Sequence, residues 1–250
     1  MAPAPSLVDD YLHRLHALLE RFRTTQGAAL AHAADLLADS LRRGGIVHLF
    51  GTGHSHMIAE EVFYRAGGLL QVNAMLDGSV VLSGGAWRTT ETERTPGAAT
   101  AIASRYDLRA GDCGVVVSHS GRNPAPVEMA LLMKSKALPV IAITSVAASQ
   151  ALPPLDPPGA RLFEVADAVL DTGGDSGDAA LPLPGAPQPV GPTSTVIGAA
   201  IVQALVIAAM ERLATSGVSI VNLPSGNVPH TDLRAVQAEM QKYHHRIKHW

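Results

Sequence analysis

Short apolar runs that alternate with helical stretches constrain this chain more than any other feature. Ile46-Val47-His48-Leu49-Phe50 is nearly all apolar, too short for a helix, and followed by Gly51. It reads as a strand of a parallel sheet covered on both faces, because such strands carry continuous rather than alternating apolar residues. Leu70 to Ala74, Gly114 to Ser118 and Pro139 to Thr144 read the same way, and Val165 to Leu170 adds a fifth strand. Helical patterns separate them: Ser55 to Arg65, closed by Gly67-Gly68, then Ala98 to Tyr106, then Pro126 to Lys136. Ahead of the first strand, Leu7 to Arg43 contains no proline and sets Leu12, Leu15, Leu19 and Phe22, then Leu30, Ala33, Leu37 and Leu41, at helical spacing. The alternation predicts an α/β fold, a doubly wound five-stranded parallel sheet with a long N-terminal helix and a C-terminal helical tail. Residues 1–45 form that helix within the same domain, 46–215 the body of the domain, and 216–250 the tail.

Composition supports a packed, soluble chain. Of 250 residues, 47% are hydrophobic and the formal net charge is −3, which excludes a disordered, charge-extended chain. Without a basic excess, and with 4% aromatic residues, the chain has neither the phosphate-neutralising charge nor the stacking platform of a nucleic-acid binder. Cys113 is the single cysteine and makes no internal disulfide, which suits a reducing, cytoplasmic compartment. Met1 to Pro5 lacks the basic start and apolar stretch of a signal peptide. The apolar run Val196 to Met210 contains Gln203 and is shorter than the roughly 18 to 20 residues of a membrane span. It reads as a helix buried in a core or a subunit interface, with no membrane partner.

In a doubly wound sheet, ligands bind at the carboxyl ends of the strands, so the loops after each strand carry the chemistry. The first is Gly51-Thr52-Gly53-His54-Ser55-His56. It is neither a Walker loop nor a dinucleotide fingerprint, since no Gly-Lys-Ser/Thr follows and His56 occupies the third glycine position. Its glycines admit an anion close to the backbone; a tight turn with Ser55 as helix cap is the plainer reading. The second loop, Ser118-His119-Ser120-Gly121-Arg122-Asn123-Pro124, supplies hydroxyls, a guanidinium and an amide ahead of a helix, a donor-rich nest for a phosphate monoester. Two further stretches, Ala151 to Gly159 and Thr172 to Pro192, are long loops rich in proline, glycine and aspartate, a type that is usually functional or mobile.

Gly51-Thr52-Gly53-His54-Ser55 and Ser118-His119-Ser120-Gly121-Arg122-Asn123 resemble the two signature loops of the SIS (sugar isomerase) domain family of phosphosugar-binding proteins, and the whole chain looks most like the UPF0309 proteins of that family. The resemblance implies a flavodoxin-like sheet, a homodimer, and a sugar phosphate at the strand ends. Carried over by position, it assigns the phosphate to Ser118, Ser120 and Asn123, with Ser55 assisting and Gly53, His54, His119 and Arg122 beside them. Arg122 followed by Pro124 is similar to the second loop of N-acetylmuramic acid 6-phosphate etherases, with Asn123 where threonine is usual there.

The resemblance also implies a reaction. SIS enzymes work on the open-chain sugar, where a base removes the C2 proton made acidic by the C1 aldehyde. Reprotonation at C1 then isomerises the sugar, and loss of the C3 substituent gives β-elimination. The etherase-like loop leans towards an N-acetylamino sugar 6-phosphate and lyase chemistry. Etherases carry a catalytic glutamate in the connection that holds Glu93, which makes Glu93 the first candidate base, its alternative being a helix N-terminal charge. Glu61 is a second, on the helix after the first loop, where Glu60 reads as solvated surface. His230 is a third, since in several SIS enzymes a C-terminal segment or a neighbouring subunit's histidine completes the site. Thr193 and Ser194 open the apolar helix as caps or sugar ligands. His54 and His56 lack carboxylate or thiolate neighbours at ligand spacing, so no metal is expected, and no cofactor either. The rival to an enzyme is a non-catalytic sugar-phosphate sensor acting through a protein partner.

Overall fold

A computed structural model describes residues 6–228 and 233–250 of the chain. Ser6 opens helix α1 (Leu7–Thr25) with a capping box: its hydroxyl accepts from the Asp9 amide while the Asp9 carboxylate accepts from the Ser6 amide. The expected single N-terminal helix is two. α1 stops at Gln26, and α2 (Gly27–Arg42) starts at once. Three causes combine. Thr24 and Thr25 turn their hydroxyls back onto the Glu20 and Arg21 carbonyls, Gly27 is a poor helix former, and the Gln26 side chain accepts from the Asp171 amide at 3.1 Å.

The sheet contains β1 (Val47–Gly51), β2 (Val72–Ala74), β3 (Cys113–Val117), β4 (Val140–Thr144) and β5 (Ala168–Asp171). All are parallel, in the order β2-β1-β3-β4-β5, the doubly wound fold expected. β1, β2, β3 and β4 are buried along their whole length, which explains their unbroken apolar runs. Their side chains alternate between two cores. Val47, Leu49, Val115 and Ile143 face one layer, Phe50, Val116 and Ala142 the other.

The strand-to-strand connections differ in detail from expectation. After β1 comes a 3-10 turn, Gly53–Ser55, and a helix α3 (His56–Val62) shorter than its pattern suggested. The connection that holds Glu93 is itself helical, α4 (Ala86–Glu93), and is followed by α5 (Ala98–Ala103). α6 (Pro124–Ser135) begins directly after the second signature loop, with proline at its first position where no amide donor is needed. α7 (Val146–Gln150) and α8 (Leu162–Val165) flank the first long loop. The second long loop is not structureless: it contains an antiparallel hairpin of β6 (Ala179–Leu181) and β7 (Val190–Pro192).

α9 (Ser194–Thr215) outruns the apolar segment that announced it and is long and apolar enough to cross a membrane by length and composition. Here Ile197, Ile201, Leu205, Ala209 and Leu213 are buried in the core that α2 shares, so it is a core helix, with Val196 and Ile207 exposed. In the tail, α10 (Arg234–Tyr243) and the residues after it fold against the amino ends of the strands: Gln71 donates to the Tyr243 hydroxyl at 3.0 Å, and Ile247 is buried.

Candidate functional site

The carboxyl ends of β1, β3, β4 and β5 open into one cavity of about 360 Å³, a volume suited to a small ligand. Thr52 and Ser55 come from the first signature loop, and Ser118, His119, Ser120, Arg122 and Asn123 from the second. Two loops 60 residues apart in sequence meet because β1 and β3 are neighbours in register, Gly51 opposite Val117.

The second loop is shaped by its own side chains. The Ser118 hydroxyl accepts from the Gly121 amide at 3.1 Å, closing the turn. Gly121 has φ +57°, and a β-carbon there would lie 2.8 Å from the Thr144 hydroxyl and 3.0 Å from that of Ser149. Only glycine fits both the left-handed backbone and the packing. Asn123 caps α6 with its backbone in an extended conformation and makes no side-chain cap bond, so its amide is free for the cavity. The α6 amino end and the Arg122 guanidinium make this wall attractive to an anion. Arg122 also holds the opposite rim, its Nε donating to the Pro153 carbonyl at 2.7 Å.

Glu93 reaches the same cavity. It is the last residue of α4, not a helix N-terminal charge, and its carboxylate accepts from the Thr52 hydroxyl at 2.7 Å. This bond ties the candidate base to the first signature loop.

The His119 Nε2 donates to the Asp175 carbonyl at 2.8 Å, since a carbonyl can only accept, which leaves Nδ1 as the second ring nitrogen. That Nδ1 is buried without a partner among the described residues, as are the hydroxyls of Thr193 and Ser149 nearby. Asp175 is in turn paired with Arg14 of α1 at 2.6 Å. The segment after β5 is fastened below by Asp171. Burial works against that carboxylate, but Arg21 at 2.6 Å and the amides of Val146 and Gly173 outweigh it and hold the carboxyl below the usual range.

The other residues singled out from sequence lie apart. Gly53, at φ +54°, donates its amide to the Val80 carbonyl and shapes the turn, and His54 is exposed; neither lines the cavity. Glu61 faces α9, accepting from Gln203 at 3.2 Å and pairing with Arg65 at 3.3 Å. Ser194 donates to Asp178 at 2.6 Å and lines a smaller void with Ser55 and His119. His230 lies outside the described residues. Among the described residues no three His, Cys, Asp or Glu side chains gather as a metal site.

Sequence reasoning missed Thr52 as a partner of Glu93, and missed Ala148, Leu152, Ser176, Gly177 and Asp178 on the cavity wall. The signal was present only at the level of segments, since Leu152 and Ser176 to Asp178 fall in the two long loops.

The SIS domain model matches residues 10–145. A UPF0309 protein of Geobacillus thermodenitrificans is 37% identical over 241 residues, covering 96% of each chain. The phosphoheptose isomerase of Francisella tularensis shares the fold at 18% identity, with a TM-score of 0.57 over 83% of this chain and 100% of that one. So does the NanR protein of Vibrio vulnificus, solved with ManNAc-6P, at 16% identity and a TM-score of 0.50 over 86% and 66%. With the fold, the signature loops and nearly the whole length matched, the chain belongs to the SIS domain family of phosphosugar-binding folds and, within reach of its relatives' sequence, to the UPF0309 proteins.

Proposed function

We propose that this chain binds an amino sugar 6-phosphate, an N-acetylamino sugar 6-phosphate in preference, and removes its C2 proton with Glu93. The carrying observation is that the Glu93 carboxylate, held by Thr52, lies on the same cavity as the anion-attracting Ser118 to Asn123 loop. A phosphate met by Ser118, Ser120 and the α6 amino end leaves the sugar carbons extending towards the carboxylate. Glu93 accepts the C2 proton of the open-chain aldehyde, and the C–H electron pair moves into C1–C2 as the carbonyl becomes an enolate. Return of a proton to C1 completes an isomerisation. Breaking the C3–O bond with departure of the substituent completes a β-elimination, the course an N-acetyl group at C2 favours. NanR, a fold neighbour, holds ManNAc-6P, a ligand of this class.

Incubation with a panel of aldose and amino sugar 6-phosphates in heavy water, followed by proton NMR, tests the reading. The expected result is loss of the C2 proton signal with one N-acetylated member and a new vinylic signal; a ketose would select isomerisation. Glu93→Gln should stop exchange while leaving binding intact. Binding without exchange in the native chain would replace the enzyme with a sugar-phosphate sensor.

A further inference from the structure

The cavity has a chemical polarity that the signature loops do not account for. One wall offers donors: the serine hydroxyls, Arg122 and the α6 amino end. The segment between β5 and β6 adds an acidic residue to the lining, Asp178. Asp178 is held with unusual care. It is one of three described non-glycine residues with positive φ, at +65°, a conformation that persists when its surroundings impose it and that clusters at ligand clamps. Its Oδ1 accepts from the amides of Thr193 at 3.0 Å and Ser194 at 2.8 Å, and its Oδ2 accepts from the Ser194 hydroxyl at 2.6 Å.

Two consequences follow from that bonding. First, the amino end of α9, which could have attracted a phosphate, already has its anion in Asp178, and a phosphate placed beside that carboxylate would be repelled. The phosphate therefore belongs at α6, on the donor wall. Second, a carboxylate offers about four acceptor directions, and three are used. The remaining one is on Oδ2, with the carboxylate fixed in orientation by the other three bonds.

We propose that Asp178 is a specificity-determining ligand that accepts a hydrogen bond from a hydroxyl of the sugar, so that the cavity reads its ligand as phosphate at one end and sugar donor at the other. This assignment rests on the sugar-phosphate function above. It explains why a short hairpin interrupts the loop after β5: the hairpin brings Asp178 to α9, and α9 aims its carboxylate. It also gives the site a means of distinguishing sugars, because a half-buried acceptor left without its hydroxyl disfavours an analogue that lacks it.

Calorimetric titration of the native chain and Asp178→Asn tests it. Asparagine accepts left-handed backbone and can still cap α9, so the fold is retained, but an amide nitrogen replaces one carboxylate oxygen. The probes are the tightest-binding sugar 6-phosphate of the panel, its monodeoxy forms, and inorganic phosphate. The expected result is about a tenfold or greater loss for the sugar phosphate, none for inorganic phosphate, and one monodeoxy form bound equally by both proteins. Equal losses for sugar phosphate and inorganic phosphate would reduce Asp178 to a helix cap and overturn the proposal, as would no loss at all. A native chain that binds none of the sugar phosphates would overturn the function and this assignment together, whereas native binding unaffected by the substitution overturns the assignment alone.

Discussion

Two histidines at opposite ends of the sheet are bonded in opposite ways. At the amino ends of the strands, His48 of β1 is wholly buried, yet each ring nitrogen has a partner: Nε2 donates to Asp112 at 3.1 Å, and Nδ1 accepts from Asn73 at 3.1 Å. Asp112 also accepts from the Ile46 and Arg109 amides and from Arg246, and Asn73 accepts from the Lys248 amide. At the carboxyl ends, His119 has one nitrogen bonded and one orphaned, beside the orphaned hydroxyls of Ser149 and Thr193. A saturated polar network fixes a structure, while the unpaired atoms at the carboxyl ends lie buried just behind the loops that line the cavity. The same residue type, histidine after or within an apolar strand, is therefore structural at one end and a site residue at the other.

The comparison breaks most visibly if the saturated end is cut. Asp112→Ala removes the nearer of the two carboxylates that hold the Arg246 guanidinium, itself 9% exposed, leaving Asp107 at 3.3 Å, and it strips two backbone amides of their acceptor. Removing one member of such a buried pair costs about 3–5 kcal/mol. For a chain of this size that lowers the melting temperature by roughly 6–20 °C. Phosphate and sugar-phosphate binding measured well below that temperature should be unchanged. A parallel loss of affinity would show that the two ends are not separable.

Gly121→Ala is the reverse experiment and the next largest. Its β-carbon meets the Thr144 and Ser149 hydroxyls, and its backbone is left-handed. The strain is about 1–3 kcal/mol, smaller than the first effect, but it falls on the turn that presents Ser118, Ser120 and Asn123. Binding of inorganic phosphate should fall at least tenfold while the unfolding transition moves only a few degrees. Undiminished phosphate binding would remove the second loop from the site.

These contrasts also explain what the sequence made legible. Strands β1, β3 and β4 showed within a residue or two because burial on both faces leaves an unbroken apolar run, as in Cys113 to Val117. The signature loops were legible because glycine and serine spacing encodes a turn. The break at Gln26 was not, since its partner Asp171 lies 145 residues away. Glu61 read as a candidate base along α3, and its bond to Gln203 on α9, a contact no local pattern states, is what shows where it points. Asp178 was invisible for the same reason: its role depends on a hairpin that folds it against α9, and no local pattern states that contact. His48 lies within an apolar run and His119 just after one, and what separates them is which ends of the strands they occupy.

Acid titration sharpens the comparison with the smallest effect. Burial alone would raise the Asp112 carboxyl, but bonds from His48, Arg246 and the Ile46 and Arg109 amides outweigh it and lower it to about 2, from an ordinary 3.8. A carboxyl depressed on folding contributes stability that is present above its unfolded value and is lost as the pH falls through its folded one. The native chain should therefore lose on the order of 1–2 kcal/mol at this position between about pH 4 and pH 2, after allowance for screening. Asp112→Asn, which cannot titrate, should begin less stable at neutral pH and show a correspondingly flatter acid slope in urea unfolding. Gly121→Ala should keep the native slope, because no group at the carboxyl ends of the strands it perturbs belongs to the Asp112 network. If Gly121→Ala flattened the slope and Asp112→Asn did not, acid sensitivity would reside at the ligand end of the sheet, and the division of labour between the two ends would be reversed.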